Sequence, residues 1–264
     1  METLYSLEGY EFKELLGEGM YAEVYLAKKG TETCAMKVVH KGKHRKRGTM
    51  HAKKEISALQ RLGSMPGIAH LKEWHETESL VFIALSYFRG YSLSNLPSAL
   101  SVQEILYTGL SILQTLAQMH SLGVYHLDIK PDNVIVSRHG AHLIDFGCSI
   151  ISPECTISGS TLPFEGTPAY MAPEMIKKKS SCILLASLDV WGFGCLLYYM
   201  AVGKDTFVST SLYSLYPKIL SCKIDYTGVP DEIEDICKQI FIKRPDDRIT
   251  VADLILLIMK KMTV

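Results

Sequence analysis

The stretch GVYHLDIKPDNVIV, residues 123–136, places an aspartate, a lysine and an asparagine at short spacing between two apolar runs. Clustered polar residues between segments that read as buried structure are typical of a catalytic loop. An apolar residue, Leu127, stands between His126 and Asp128. The loop could therefore belong to a working active site, to one that has lost part of its regulation, or to a site that only binds.

The composition of the chain is that of an ordinary globular protein. Its 264 residues are 47% hydrophobic and 21% charged, which suits one large domain or two small lobes. The formal net charge is zero, so no overall field attracts the chain to nucleic acid or to an anionic membrane. The seven cysteines show neither a CxxC pair nor metal-ligand spacing, which predicts free thiols. We expect an intracellular monomer, cytoplasmic or nuclear, with no nucleic-acid or membrane partner.

The sequence predicts neither a signal peptide nor a membrane span. The opening METLYSLEGYEF has no basic region followed by an apolar one. The most apolar run, VWGFGCLLYYMAV at 190–202, is shorter than a bilayer span and follows Asp189. We expect this run to form a helix that is buried on all sides.

The first third of the chain is predicted to be rich in strands. Short alternating segments, broken by glycines, run from residue 10 to about residue 40 and predict an antiparallel β-meander. Residues 49–63 change to helical spacing, and Gly63 is the expected end of the helix. The apolar stripe of this helix consists of Ala52, Leu59 and Leu62. Glu55 lies on the same stripe and needs a cationic partner, because an unpaired buried charge is costly.

The remainder is predicted to be mainly helical, with a boundary near residues 86–91. A strand, SLVFIALSY, precedes this boundary, and a polar, glycine-containing link follows it. Segment 103–122 has the spacing of a long helix, and a short strand pair ends in LIDFG. Residues 148–165 lack periodicity, which predicts a long functional loop.

A glycine-rich turn, LGEGMYAEVY at 16–25, is a GxGxxG-like loop with Ala22 at the third glycine position. A dinucleotide-binding fold would continue into a helix, whereas this run continues as a strand. The turn could cover a phosphate chain with its amides, or it could be a plain glycine hairpin. Lys37 comes thirteen residues after Val24 and is expected in the next strand, where it is the candidate partner of Glu55.

Seven features, in the same order along the chain, resemble those of the eukaryotic protein kinases, and Lys130 together with GTPAYMAPE at 166–174 resembles the serine/threonine type. The seven features are Lys37 in AMK, Glu55, HLDIKPDN at 126–133, DFG at 145–147, APE at 172–174, DVWGFG at 189–194, and Arg248 in RPDDRIT. The resemblance implies an α+β bilobal fold in one catalytic domain, 1–264. A small β-rich N-lobe with helix C would comprise 1–86, and a larger helical C-lobe 87–264. Shorter runs resemble the phosphoinositide-dependent and the monopolar spindle kinases, and neither match decides the subfamily.

The resemblance implies ATP and Mg²⁺ as cofactors and a role for each candidate residue. Lys37 is similar to the lysine that positions ATP, and Glu55 to its helix C partner. The metal ligands implied are Asn133 and Asp145, since magnesium prefers oxygen ligands.

The same comparison implies the phosphoryl-transfer roles. Asp128 would orient the substrate hydroxyl and accept its proton, and Lys130 would balance charge on the phosphoryl group. The nucleotide-binding residues implied are Gly17, Gly19, Val24, Ala35, Lys37, Ser86, Phe88, Ile135 and Asp145. For the apolar positions among them, a plain core role fits nearly as well.

Four further residues are expected to support the site. Thr167 resembles the residue that ties the substrate-binding loop to Asp128 and Lys130. Asp189 would anchor the backbone of the catalytic loop, and Glu174 and Arg248 resemble the buried ion pair of the family.

Leu127 bears on regulation. In the family, an arginine at this position pairs with a phosphate on the activation loop. Candidate phosphorylation sites are present at Ser158, Ser160 and Thr161, but leucine cannot pair with a phosphate. We expect an ATP-dependent protein kinase with little dependence on activation-loop phosphorylation. The alternative is a pseudokinase scaffold that binds nucleotide or a partner without turnover, although Lys37 and Asp145 are both retained.

The expected partners are a protein substrate and, at the basic stretch HKGKHRKRGTMHAKK (40–54), an acidic or phosphorylated docking segment. A solvated loop explains this stretch equally well, and nuclear localisation is a weaker option. For the substrate, alignment places Ser92 where basophilic relatives carry a carboxylate, while Asp132 could weakly favour a basic residue two before the phosphorylated site.

Overall fold

The computed structural model describes residues 5–41, 46–96, 98–177 and 182–263. The chain divides into two compact units, which we call the N-terminal unit and the C-terminal unit. The first contains the chain up to Arg89 together with Asp145–Gly147, and the second contains Gly90–Ile144 and the chain from Cys148 onward. The division falls within the expected 86–91 window, after Arg89 rather than after residue 86. The DFG segment groups with the N-terminal unit, which the sequence did not indicate.

The N-terminal unit is an antiparallel five-stranded sheet with one helix. Its strands follow the order β1-β2-β3-β5-β4 across the sheet. The elements are β1 (Glu11–Glu18), β2 (Ala22–Lys29), β3 (Glu32–His40), α1 (Lys46–Leu62), β4 (Leu71–Glu76) and β5 (Leu80–Ser86). Because side chains alternate along a strand, Cys34, Met36 and Val38 enter the core from β3, and Lys37 faces the other way. The predicted β-meander is confirmed.

Helix α1 carries the predicted buried stripe. It begins at Lys46, three residues before the expected start, and it ends at Leu62. Gly63 then adopts φ +60°, a left-handed conformation that glycine tolerates best. Ala52, Glu55, Leu59 and Leu62 are all buried on the stripe. The helix therefore brings a carboxylate into the interior of the unit.

The C-terminal unit is mainly helical. Its helices are α2 (Val102–Ser121), α3 (Pro173–Lys177), α4 (Leu185–Val202), α5 (Leu212–Ser221), α6 (Asp231–Ile240) and α7 (Val251–Met262). Its short strands are β6 (Gly90–Ser92), β7 (Val124–Tyr125), β8 (Val134–Ser137), β9 (Gly140–Leu143), β10 (Ile150–Ile151), β11 (Thr156–Ile157) and β12 (Ile183–Leu184). They pair as β6-β8-β9, β10-β7 and β11-β12. The predicted loop at 148–165 thus contains two short strands, β10 and β11, and each pairs with a strand outside the loop.

Helix α4 is the buried apolar helix that the sequence predicts. By length and composition it is the one helix in the described ranges that could cross a bilayer, yet 78% of it is buried inside the protein. Its glycines allow close packing: a Cβ on Gly192 would lie 3.1 Å from Ile129 Cβ, and one on Gly194 would lie 2.4 Å from Ile240 Cγ2. The helix therefore contacts both the catalytic loop and α6 directly.

Candidate active site

Lys37 joins two carboxylates in the N-terminal unit. Its Nζ donates to Glu55 Oε2 at 2.7 Å and to Asp145 Oδ1 at 2.9 Å. The backbone N–H of Phe146 also donates to Glu55, at 3.4 Å. The predicted Lys37–Glu55 pair is present, and its second partner is the aspartate of DFG.

Burial and charge act against each other in this cluster. The Glu55 side chain is 1% exposed, so burial raises the pKa of its carboxyl even though Lys37 opposes that shift. Burial would lower the pKa of Lys37, but the charges of Asp145 and Glu55 outweigh burial and raise it. Lys37 is therefore a permanent cation. The Asp145 side chain is 47% exposed, so a carboxylate beside this cation remains open to solvent and to a hydrated metal ion.

The turn between β1 and β2 lies next to the strand that carries Lys37. Val24 on β2 is directly opposite Lys37 on β3, and the N–H of Gly19 closes the turn on the carbonyl of Ala22 at 2.8 Å. A Cβ on Gly17 would meet no atom within 4 Å, so that side of the turn is open. A phosphate chain fits such an open turn, and Lys37 and Asp145 supply a counter-charge and a metal ligand. The residues present therefore suit a magnesium nucleotide.

The other nucleotide-binding candidates divide between the units. Val24, Ala35, Ser86 and Phe88 belong to the N-terminal unit, and Ile135 belongs to β8 in the C-terminal unit. Ser86, at the end of β5, accepts the backbone N–H of His70 through its hydroxyl at 2.8 Å. Val24, Ala35 and Ile135 are each only half-buried, so they remain available as apolar contact surface.

Asp128 is the centre of a hydrogen-bonded cluster in the C-terminal unit. Its Oδ1 accepts the backbone N–H of Thr167 at 2.7 Å, and its Oδ2 accepts Asn133 Nδ2 at 3.1 Å. Lys130 Nζ lies 3.3 Å from the same Oδ2 and donates to Thr167 Oγ1 at 2.7 Å. Asn133 Nδ2 also donates to the Asp128 carbonyl at 2.9 Å, so the amide oxygen of Asn133 is outside both bonds. That oxygen is a suitable ligand atom for magnesium.

Gly166 permits the close approach of Thr167 to Asp128. It adopts φ +103°, and a Cβ there would lie 3.1 Å from the carbonyl oxygen of Leu127 and 3.4 Å from Asp128 Oδ1. A side chain at this position would push the two segments apart. The geometry confirms that Thr167 ties its loop to Asp128 and Lys130.

Asp189, on α4, holds the backbone before the catalytic aspartate. Its carboxylate accepts the N–H groups of Leu127 at 2.7 Å and of His126 at 3.0 Å. These bonds fix Leu127 at φ +64°, a left-handed conformation that costs a leucine about 1–2 kcal/mol. The predicted anchoring role of Asp189 is confirmed.

His120 is a member of this group that sequence reasoning missed. Its Nε2 lies 2.8 Å from Asp189 Oδ2, and its ring stacks on Tyr125 with centroids 4.9 Å apart. Burial would raise the pKa of Asp189, but the hydrogen bond and charge of His120 lower it below its ordinary value. A histidine in the last turn of α2 gives no signal of this contact, because its partner is 69 residues away.

The predicted Glu174–Arg248 pair is present and almost fully buried. Arg248 donates to both carboxylate oxygens of Glu174, at 2.8 and 3.2 Å. It also donates to the carbonyls of Ser187 at 2.6 Å and Ile242 at 3.0 Å. Its guanidinium thus joins α3, α4 and the segment before α7.

Comparison with known proteins agrees with this arrangement. The model of the protein kinase domain matches residues 10–256. CBL-interacting serine/threonine-protein kinase 13 of Arabidopsis thaliana is 32% identical, over 94% of this chain and 50% of its own. CBL-interacting serine/threonine-protein kinase 12 of the same plant is 34% identical, over 80% and 44%. Serine/threonine-protein kinase PKH2 of Saccharomyces cerevisiae is 29% identical, over 94% and 24%.

The chain spans about half the length of the plant relatives and about a quarter of the yeast relative. The family match covers Lys37, the three polar residues of the catalytic loop (Asp128, Lys130 and Asn133) and Asp145 of DFG. This chain therefore belongs to the protein kinase domain family.

Proposed function

We propose that this protein is a serine/threonine protein kinase that transfers the γ-phosphoryl group of ATP, with Mg²⁺, to protein hydroxyls. The observation that carries the proposal is the cluster around Asp128, in which Lys130 and Thr167 both contact the carboxylate. A carboxylate that is held in one position can accept a proton from a substrate hydroxyl. The neighbouring lysine stabilises charge on the transferred phosphoryl group. The names of the relatives support the same substrate class.

The proposed cofactors are ATP and Mg²⁺. Asp145 in the N-terminal unit and Asn133 in the C-terminal unit each offer an oxygen ligand of the kind that magnesium prefers, and Lys37 offers a cation for phosphate. ATP with Mg²⁺ would supply the phosphoryl group and neutralise its charge. The chain's own contribution is to orient the acceptor hydroxyl at Asp128, receive its proton there, and hold the phosphates against Lys37.

The activity test is transfer of radiolabel from γ-labelled ATP to a generic basic protein and to a peptide array. We expect transfer to serine and threonine by the wild type and none by Asp128→Asn. If the wild type binds ATP·Mg²⁺ but transfers no more label than Asp128→Asn, the protein is a nucleotide-binding scaffold and the proposal is wrong.

We also propose that activity depends little on phosphorylation of the activation segment, residues 148–165. Leu127 presents no cation to a phosphate, and the segment is held by contacts that need none. Strand β10 pairs with β7, and β11 pairs with β12. At its tip, the N–H groups of Thr161 and Leu162 both donate to the carbonyl of Ser158 at 3.0 Å.

Substrate selectivity is proposed to rest little on a basic residue three before the phosphorylated site. Ser92 is half-buried, and its hydroxyl lies 2.9 Å from that of Ser94, so no charge is offered there. Asp132 is exposed and could favour a basic residue two before the site, although solvent weakens such a pair. A dominant arginine at minus three in the peptide array would contradict this proposal.

The basic stretch 40–54 is proposed as a docking site for an acidic or phosphorylated segment of a partner. Residues 42–45 lie outside the described part of the chain. Of the others, Lys46, Arg47 and Lys53 are exposed, whereas Lys41 already pairs with Glu76 at 2.7 Å. A cytoplasmic or nuclear location is proposed on the basis of the free cysteines, and microscopy of a tagged full-length protein would test it.

A further inference from the structure

Tyr21 brings the glycine-rich turn into contact with helix α1. It lies in the bend between β1 and β2 and is half-buried, whereas its neighbour Met20 is 83% exposed. The Tyr21 ring meets the His51 ring edge to face, with centroids 5.6 Å apart. Such aromatic pairs contribute beyond the area that they bury. The turn is therefore docked on the helix by a ring that points inward.

Gly48 leaves room for the base of the Tyr21 side chain. A Cβ on Gly48 would lie 3.1 Å from Tyr21 Cβ and 3.4 Å from Val39 Cγ1, which is tighter than ordinary side-chain contacts. The glycine is buried in the first turn of α1. Because it has no side chain, Tyr21 can pack directly against the start of the helix. We call the surface formed by Gly48 and Val39 the Tyr21 notch.

The notch lies on the stripe that carries Glu55. Gly48 and Glu55 are seven residues apart, two helical turns, and both are on the buried face of α1. His51 lies between them and extends the contact to DFG. A Cβ on Gly147 would lie 3.3 Å from His51 Cβ and 3.4 Å from His51 Nδ1. Within the N-terminal unit, the turn, the helix and the DFG glycine therefore lie in one row.

We propose that Tyr21 and His51 are positioning residues that couple the glycine-rich turn to helix α1. Docking of Tyr21 in its notch fixes the first turns of α1 against the sheet, and this holds Glu55 in reach of Lys37. Neither residue touches the phosphoryl group in this role; they act through the Lys37–Glu55 pair. The inference rests on the proposed kinase function and deepens it. It identifies contacts that hold α1 in place without a phosphate on the activation segment.

The test is a double-mutant cycle of Tyr21→Ala and Gly48→Ala, with kcat and KM for ATP as readouts. Each single variant should lower kcat/KM by about tenfold or more, the first by emptying the notch and the second by filling it. In the double variant, Gly48→Ala should cost less activity than it does alone: the Cβ of residue 21 and Val39 remain as neighbours, but no ring remains to be displaced from His51. Tyr21→Phe keeps the ring and should retain most of the wild-type activity.

Controls separate positioning from stability. Gly48→Ala improves helix propensity, so its melting temperature should not fall in parallel with its activity. Ser57→Ala, on the exposed face of α1, makes a similar propensity change and should leave kcat/KM unchanged. Additive effects of Tyr21→Ala and Gly48→Ala, or kcat/KM within twofold of the wild type in Tyr21→Ala, would overturn the proposal.

Amide hydrogen exchange tests the same coupling without activity. Exchange across residues 48–56 of α1 should accelerate in Tyr21→Ala and in Gly48→Ala, and the acceleration in the double variant should be less than the sum of the two. If the wild type transfers no phosphate and this exchange pattern holds, the kinase proposal fails and the coupling stands. If transfer is normal and exchange across α1 is unchanged in all variants, the coupling fails alone.

Discussion

Lys37 shows how a single residue serves structure and chemistry together. It is 14% exposed, and it contacts one carboxylate that is buried, Glu55, and one that is half-open, Asp145. Removing the lysine would leave Glu55 without its cationic partner, although burial already favours the neutral form of that carboxyl. The phosphates of a bound nucleotide, in contrast, would lose the positive charge of Lys37, and no other effect offsets that loss.

Lys37→Met should therefore reduce phosphoryl transfer by on the order of 10²–10³-fold, the cost of removing one charge-stabilising donor. Its melting temperature should fall less than that loss of activity suggests. The matched variant is Lys37→Met with Glu55→Gln, which removes the unpaired carboxylate. Recovery of thermal stability without activity is expected, and recovery of both would mean that the lysine is only structural.

Asp189 predicts a pH dependence of stability. Because its pKa is lowered by the fold, it stabilises the protein above the ordinary carboxyl pKa of about 3.9, and this contribution declines as pH falls through the lower folded pKa. Asp189→Asn should lower the free energy of unfolding by about 2–3 kcal/mol at pH 7, since three donors lose a charged acceptor. Urea titrations from pH 7 to pH 2.5 should show a flatter acid slope for the variant. Parallel slopes would contradict the assignment.

The Lys37–Glu55 pair was predictable from the residues themselves, because a carboxylate on a buried stripe needs a cation. The roles of Asp128 and Arg248 were expected only through the resemblance to the protein kinases, whose motifs occur in the same order along this chain. His120 and Tyr21 were not predictable, since a histidine at a helix end and a tyrosine in a turn acquire their roles only through residues that the fold brings to them.

The activation segment is the element in which structure departs most from sequence expectation. It reads as an irregular loop, yet β10 and β11 pair it to β7 and β12. Pairs of two residues have no detectable alternation, so no sequence pattern announces them. Leu185 N–H extends the second pairing by donating to the carbonyl of Cys155 at 2.9 Å. The first half of the segment is thus fixed at two places by backbone hydrogen bonds.

Phosphatase treatment of the purified protein should accordingly change the initial rate of transfer little. Intact mass measurement would verify that all phosphate has been removed. A tenfold loss, about 1.4 kcal/mol of barrier, would show that another cation does the work of the absent arginine. Leu127→Arg provides the comparison, because it restores a cation before Asp128. After phosphorylation of the activation segment, the transfer rate of this variant should fall on phosphatase treatment.

At the scale of the whole molecule, the Glu174–Arg248 pair joins distant parts of the C-terminal unit. The two residues are 74 positions apart, and their side chains are 3% and 0% exposed. Two carbonyl acceptors share the same guanidinium. A charged pair in such surroundings specifies one arrangement of the helices that it joins.

Glu174→Gln should lower the free energy of unfolding by about 3–5 kcal/mol, because it leaves a buried guanidinium without its counter-charge. Chemical denaturation of wild type and variant would measure this. Asp247→Asn is the matched control, since its pair with Arg244 is 3.5 Å long and exposed, and we expect no measurable change. Equal losses in the two variants would show that burial of the pair is not the cause.

Helix α4 has a consequence for how the chain is made. Its neighbours include α2, which is synthesised before it, and α6, which contacts Gly194 through Ile240 and is synthesised later. During translation, this all-round apolar segment leaves the ribosome before α6 has been made, and it resembles a membrane span in length and composition. Because transiently exposed apolar surface promotes aggregation, we expect the nascent chain to be vulnerable until α6 has emerged. Chaperones that bind exposed apolar helices would act in this interval.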